Sequence, residues 1–372
     1  MSRFVLVGLP GENPLGFMAA LGTLLTAERV WPDGRARLSW ALEPVGWRPA
    51  LELDVALDEG ALLAGLLAEL KKGAPAEGEE AAKARRDAAA AVRDAKAALN
   101  AEKKAVKAEA KAAKLKKPAL AALMASRTAS LVTAVENAEG RAAAPGCDET
   151  AALGQNLRMT RGQAEPHFRR AADGAAPKAR RTADMLAGFA CEAAVEDGSI
   201  GISKLSKQNG NSGKHMLADV LSIRSRITAD SLRRSLFASW DYGDEKWSLG
   251  WDPADVRPYA HQASDPAEGA VTMHGANLLA YEAFAMYPVG ARGRHAETTG
   301  TSRIDGAWQM SWPLWTSPLP AVVVRSLVAH PALQAASPDS GLLAHIGVAA
   351  VFRAEHFAFM KKSPRFRPAR PV

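Results

Sequence analysis

The 372-residue sequence predicts an α+β protein: a mixed body of short sheets and helices with an inserted Ala/Lys-rich antiparallel helical hairpin. Three observations predict it. Strand-like and helix-like stretches follow one another without a regular βαβ rhythm, which argues against a doubly wound sheet. Composition shifts after Gly73, and from Ala76 to about Lys117 the chain is alanine and charge, with no glycine after Gly78 and no proline before Pro118, which is strong helix-forming material. The apolar share of 48% is enough for a sizeable core and excludes wholesale disorder. The expected segments are residues 1–73 as the N-terminal part of the body, 74–140 as the hairpin, 141–360 as the rest of the body, and 361–372 as a basic disordered tail.

The first apolar run, Phe4 to Val7, reads as a strand. Asn13-Pro14 then supplies an N-cap and a first-turn proline for a helix from Pro14 to about Val30, with Leu15, Met18, Leu21, Leu24 and Leu25 as its apolar stripe. The turn Trp31-Pro32-Asp33-Gly34 ends it. The stretch RARLSWAL reads as the next strand, and Asp58 to Leu70 as a leucine-rich helix. In the alanine-rich segment Val92, Leu99 and Val106 stand one heptad apart with Ala88 and Ala95 on the companion row, which Glu102 and Glu109 interrupt. Pro118 opens the second hairpin helix, which carries Leu120, Leu123, Met124, Leu131, Val132 and Val135.

Residues 156–181 look irregular because of their glycines and prolines. Beyond them the pattern predicts a helix through Met185 and Phe189, a strand at Ile200–Ile202, and helices at 215–223 and 229–237. Trp240, Trp247 and Trp251 read as core and corner packing. A helix in HGANLLAYEAFAMYP, a strand in AWQMSWPLW, a helix from Pro320 and a closing strand in HIGVAAVFRAEHFAF complete the pass.

The net charge of +7 points to a polyanionic partner, and residues 81–120 alone hold about eight net positive charges, so the basicity is gathered in tracts. Cys147 and Cys191 have no metal-ligand spacing and predict two buried free thiols, not a zinc site or a disulfide framework. No apolar run of about 18 uncharged residues occurs, which predicts no membrane span, and the N-terminus lacks a signal-peptide pattern; a cytoplasmic protein is expected.

Catalytic signatures are missing. A phosphate loop ending at Gly213-Lys214 would need glycine where Gln208 stands and a hydroxyl where His215 stands. An inverted zincin at Glu355-His356 would need His where Arg353 stands. His295 and Glu297 lie two apart, and with His356 they compose the enzyme alternative, a metal-dependent nuclease or RNA-processing factor. No cofactor is expected. Nucleic-acid binding is what remains: Lys204, Lys207, Gln208, Asn209, Asn211 and Lys214 combine ammonium groups with amides able to reach base edges. Arg158, Arg161, Arg169, Arg170, Arg180 and Arg181 form the phosphate-contacting set. A protein scaffold that uses the hairpin for its grip is the third reading.

The segment GLPGENPLGFMAALGTLLTAERVWPDGRARLSW resembles the opening of subunits from type I CRISPR systems of the G (formerly U) subtype. LRRSLFASWDY, SLGWDPADVRPYAHQASDP, GANLLAYEAFAMYP, Thr298 to Gly300 and WPLW at Trp312 to Trp315 resemble the same proteins, in order. The resemblance spans roughly residues 1–50 and 185–330. It implies a non-catalytic, large-subunit-like or accessory component of the Cascade surveillance complex that senses the short motif beside the target and helps recruit the helicase-nuclease, with guide RNA, target double-stranded DNA and other effector subunits as partners. The Ala/Lys insertion departs from the family pattern.

Overall fold

The computed structural model describes residues 1–72, 79–113, 116–142, 159–173, 180–196, 198–206, 216–255, 271–359 and 363–372. It is α+β, and the chain divides into two compact units: Met1–Lys72 with Gln155–Val372, and Gly73–Gly154.

In chain order the first unit begins with β1 (Ser2–Val5), α1 (Pro14–Val30), β2 (Arg37–Glu43), β3 (Gly46–Leu53) and α2 (Glu59–Leu70). The second unit holds α3 (Glu79–Ala112) and α4 (Lys117–Ala142). The first unit then resumes with α5 (Arg161–Asp173), α6 (Arg181–Phe189), β4 (Ala190–Glu196), β5 (Ser199–Ile202), α7 (Met216–Arg226) and α8 (Ala229–Phe237). Next come β6 (Asp244–Glu245), β7 (Val271–Thr272), α9 (His274–Glu282), β8 (Val289–Arg292), β9 (His295–Thr298), β10 (Thr301–Ile304) and β11 (Ala307–Trp315). The last elements are β12 (Leu319–Pro320), α10 (Ala321–Val328), α11 (Ser340–His345), β13 (Val348–Phe359), β14 (Ser363–Phe366) and β15 (Arg370–Pro371).

Helix α1 organises the first unit. The Asn13 side chain accepts the Leu15 N–H at 2.8 Å, Pro14 starts the helix, and residues 14–27 are all buried, as expected of a helix apolar on every side. One antiparallel sheet has the order β1-β3-β2-β12; a second runs β10-β11-β13-β14, with β15 also on β13, and β4-β5, β6-β7 and β8-β9 form two-stranded pairs. Phe17 of α1 stacks on Trp40 of β2 at 5.7 Å and on Trp312 of β11 at 5.8 Å, so a single ring ties the helix to both sheets. The indoles of Trp312 and Trp315 donate to the Gly11 and Leu38 carbonyls at 2.9 and 2.7 Å, which satisfies both polar handles inside the core. On another side α9 lies against α1 so closely that a Cβ on Gly22 would fall 1.7 Å from the Leu279 carbonyl oxygen. No side chain fits there.

In the second unit α3 packs on α4 through the heptad row read from the sequence: Val106 is buried, and Val92, Ala95 and Leu99 are half-buried. The two interrupting glutamates have a purpose. Arg127 of α4 lies 2.6 Å from Glu102 and 2.7 Å from Glu109, so the break in the apolar row is a cross-hairpin ion pair. Among the described residues, Lys117–Val135 is the one helical stretch long and apolar enough to cross a membrane by length and composition. It contains Lys117 and Arg127, and so escaped the search for an uncharged run.

Several expectations need correction. The tail is not disordered over 363–372: β14 and β15 pair along β13, Phe366 is buried, and Arg367 N–H reaches the Glu355 carbonyl at 2.9 Å. A long β13 leaves an edge of unpaired backbone groups, and prolines are tolerated on the strand that covers it. The supposedly irregular stretch contains α5, entered through a capping box in which Gln163 Oε1 accepts the Thr160 N–H at 2.9 Å, with the weaker reciprocal bond at 3.4 Å. Cys191 is half-buried, not buried, and Cys147 lies outside the described residues. Of the three tryptophans only Trp251 is buried; Trp240 and Trp247 are half-buried.

Candidate nucleic-acid interface

The predicted contact residues whose side chains are described, Arg161, Arg169, Arg180, Arg181 and Lys204, fall between the start of α5 and the turn that follows β5. β4 and β5 pair, and a Cβ on Gly201 would meet the Ala296 methyl at 2.5 Å, so this hairpin lies directly against the β8–β9 hairpin. Ala194, Val289 and Ala296 make the small core between them. Met159 accepts the Ile200 N–H at 2.8 Å, which fixes the entry to α5 beside β5.

The cations on this platform differ in how they are held. Arg161, in the first turn of α5, is exposed and has no ion pair with any described carboxylate. Arg169 is exposed and meets Glu165 one turn earlier at 2.8 Å. Arg180 is 69% exposed and lies 3.2 Å from Asp184, which Arg325 also contacts at 3.2 Å. Exposed pairs of this kind are worth about 0–1 kcal/mol, so a phosphate can displace them at little cost. Lys204 extends over the Trp308 ring, 5.0 Å from its centroid, and stands 3.7 Å from Glu196. A cavity of about 10 Å³ beneath it, lined by Trp308, Met310, His356 and Phe366 among others, has room for nothing larger than water.

Arg181 belongs to a different class, and its reading as a phosphate contact is corrected. It donates to Glu282 at 2.7 and 3.0 Å, and the same buried carboxylate accepts from Arg29 at 2.7 Å and Arg224 at 3.2 Å. Burial alone would raise the Glu282 carboxyl, but the Arg181, Arg29 and Arg224 guanidiniums override it and hold it at about 2. This cluster joins α1, α6, α7 and α9. Arg181 ties α6 into the fold, and moving it to a phosphate would take away one of the three guanidiniums that neutralise this buried carboxylate.

Lys207, Gln208, Asn209, Asn211, Lys214 and Arg158 lie outside the described residues, as does the side chain of Arg170 on α5. Of the residues of the enzyme alternative, His295 and Glu297 share the exposed face of β9, whereas His356 belongs to β13. His295 is 83% exposed on β9, Glu297 pairs with Arg292 at 3.2 Å, and His356 stands on β13 against Phe366. No group of three or more His, Cys, Asp or Glu side chains able to hold a metal ion occurs among the described residues. Arg353, which occupies the would-be zincin position, is buried and donates to Ser311 and to the carbonyls of Leu333, Ala335 and Ala336.

One buried group went unnoticed in the sequence. Asp252 accepts from Asn13 Nδ2 and Ala254 N–H, both at 2.9 Å, with no cation beside it among the described residues, and burial raises its carboxyl above the ordinary range despite these bonds and one from Tyr242. Gly-Glu-Asn-Pro and Gly-Trp-Asp-Pro, two of the stretches that carry the family resemblance, therefore meet here. Comparison with protein-family models, curated proteins and solved structures finds no match.

Proposed function

We propose that this chain is a non-catalytic nucleic-acid-binding subunit of a type I CRISPR interference complex, touching guide RNA or target DNA through its phosphate backbone and helping to engage the helicase-nuclease. The observation that carries the nucleic-acid reading is the set Arg161, Arg169 and Arg180, exposed on α5 and at the start of α6, whose ion pairs among the described residues are Arg169 with Glu165 and Arg180 with Asp184, each one turn away. Such side chains suit a ligand recognised by charge. The effector context rests on the sequence resemblance, whose segments supply much of the core around α1, α9 and β11.

The test is binding of the intact chain to labelled duplex DNA and to guide-like RNA over a range of salt concentrations. Replacing Arg161, Arg169 and Arg180 together by glutamine is expected to flatten the log-affinity against log-salt slope by up to about 3 units for duplex DNA, at roughly 0.9 per phosphate contact. An unchanged slope removes these residues from the interface. Cleavage of either nucleic acid with magnesium or manganese, abolished by His295→Ala, would replace the reading with the nuclease alternative.

A further inference from the structure

The second unit carries a charge pattern that neither stability nor packing explains. At about 100° per residue around a helix, Arg93, Lys96, Lys103, Lys104, Lys107 and Lys111 fall within an arc of roughly 100° on α3. All are exposed, and Asn100, also exposed, lies within the same arc. Asp94, Glu102 and Glu109 fall on the other side of the helix, where the two glutamates are engaged by Arg127. Among the described residues Arg93, Lys103, Lys104, Lys107 and Lys111 pair with no carboxylate.

Their spacing is repulsive. A helix face charged only for solubility gains from opposite charges three or four residues apart, whereas here Arg93–Lys96, Lys103–Lys107, Lys104–Lys107 and Lys107–Lys111 set like charges at those separations. The sequence accepts a destabilised helix to keep the row purely cationic. By contrast, the exposed positions Ala119, Ala122, Ala125 and Ser126 of α4 are small and uncharged. Among the described residues of α4, Lys117 and Arg127 are the cations, and Arg127 is taken up by Glu102 and Glu109, so the long cationic row belongs to α3.

We infer that the outward face of α3 is a docking surface for the phosphodiester backbone of a nucleic acid, bound without regard to sequence. From Arg93 to Lys111 the row extends about 27 Å at 1.5 Å per residue. A linear polyanion with a charge every few ångströms along each strand matches such a row; a compact anion would meet only one or two of its members. An acidic membrane surface fits less well, since an interfacial helix inserts an apolar face, and the apolar row of α3, including Leu99 and Val106, is committed to α4. The inference shares the ligand class of the proposed function but none of its residues, and the two can fail separately.

The experiment uses the intact chain with Lys103, Lys104, Lys107 and Lys111 replaced by glutamine, a residue of similar helix propensity, so that unchanged helix content by circular dichroism certifies the hairpin. For duplex DNA the log–log salt slope is expected to flatten by about 3 to 4 units, and for single strands by somewhat less, at about 0.9 and 0.7 per contact. The corresponding arginine variant should restore the slope. Glutamines at Ala119, Ala122 and Ala125 should leave it unchanged. An intact chain that binds DNA with the same slope in the Lys→Gln variant overturns this inference and leaves the proposed function standing, as does a variant whose sole loss is binding to phosphatidylserine vesicles. Loss of slope in this variant but not in the Arg161/Arg169/Arg180 triple variant supports the inference and removes those three residues. A wild-type chain that binds no nucleic acid at low salt overturns both.

Discussion

The interior of the body and the outer face of α3 both carry cations and dispose of them in opposite ways. In the body Arg29, Arg181 and Arg224 close around Glu282, Arg234 is held between Asp241 and Asp244 at 2.9 and 2.6 Å, and Arg353 is spent on a hydroxyl and three carbonyls. In α3 Glu102 and Glu109 meet Arg127 while the cationic row faces solvent, against its own helix stability. The count of basic residues is therefore a poor guide to binding. What matters is whether a carboxylate already holds each one.

The contrast breaks most visibly if the Glu282 cluster turns out to be dispensable. Glu282→Gln removes the one carboxylate that three partly or fully buried guanidiniums share and should cost about 3–5 kcal/mol in urea unfolding. The pH dependence follows from the same group. Its folded value of about 2 lies below the ordinary carboxyl value of 4.5, so its contribution, about 3 kcal/mol, is present above pH 4.5 and disappears as pH falls toward about 2. An acid-unfolding curve of wild type and Glu282→Gln that run parallel would contradict this.

Arg181→Gln should destabilise the fold by about 2 kcal/mol or more, whereas the triple glutamine variant at Arg161, Arg169 and Arg180 should stay within about 1 kcal/mol of wild type. Chemical unfolding of the two side by side sharpens the division between structural and available cations. Asp252→Asn is expected to stabilise modestly at neutral pH. A raised native carboxyl favours folding below the ordinary carboxylate range and loses that advantage as pH rises through its raised value, so the gain should vanish in acid. Thermal unfolding across pH measures it. The smallest effect belongs to Arg127→Gln, which removes exposed ion pairs inside the hairpin and should cost under about 1 kcal/mol, read as loss of helical signal on heating.

Regular elements were legible in the sequence wherever local chemistry and packing agree. Asn13-Pro14 fixed the start of α1, AWQMSWPLW is β11, and residues 229–237 form α8 where the pattern placed them. Legibility failed where a local signal lost to a neighbour. Gly162 and Pro166 hid α5, although Thr160 and Gln163 spelled its capping box, and the prolines of the tail hid strands that exist because β13 has an edge to cover. The candidate site was less readable. Arg181 and Arg161 look alike in sequence, and it takes Glu282, 101 residues further along the chain, to separate a buried tie from an available charge. In α3 the segregation was present in the residue spacing all along; the glutamates read as interruptions are the reason the other face is free of acid.

The most direct test of the central claim is the affinity of the intact wild-type chain for duplex DNA between roughly 50 and 200 mM salt. Cations exposed for a phosphate backbone predict measurable binding at the low end and a log–log slope of about −3 or steeper. A flat slope, or no binding at the lowest salt, would contradict it.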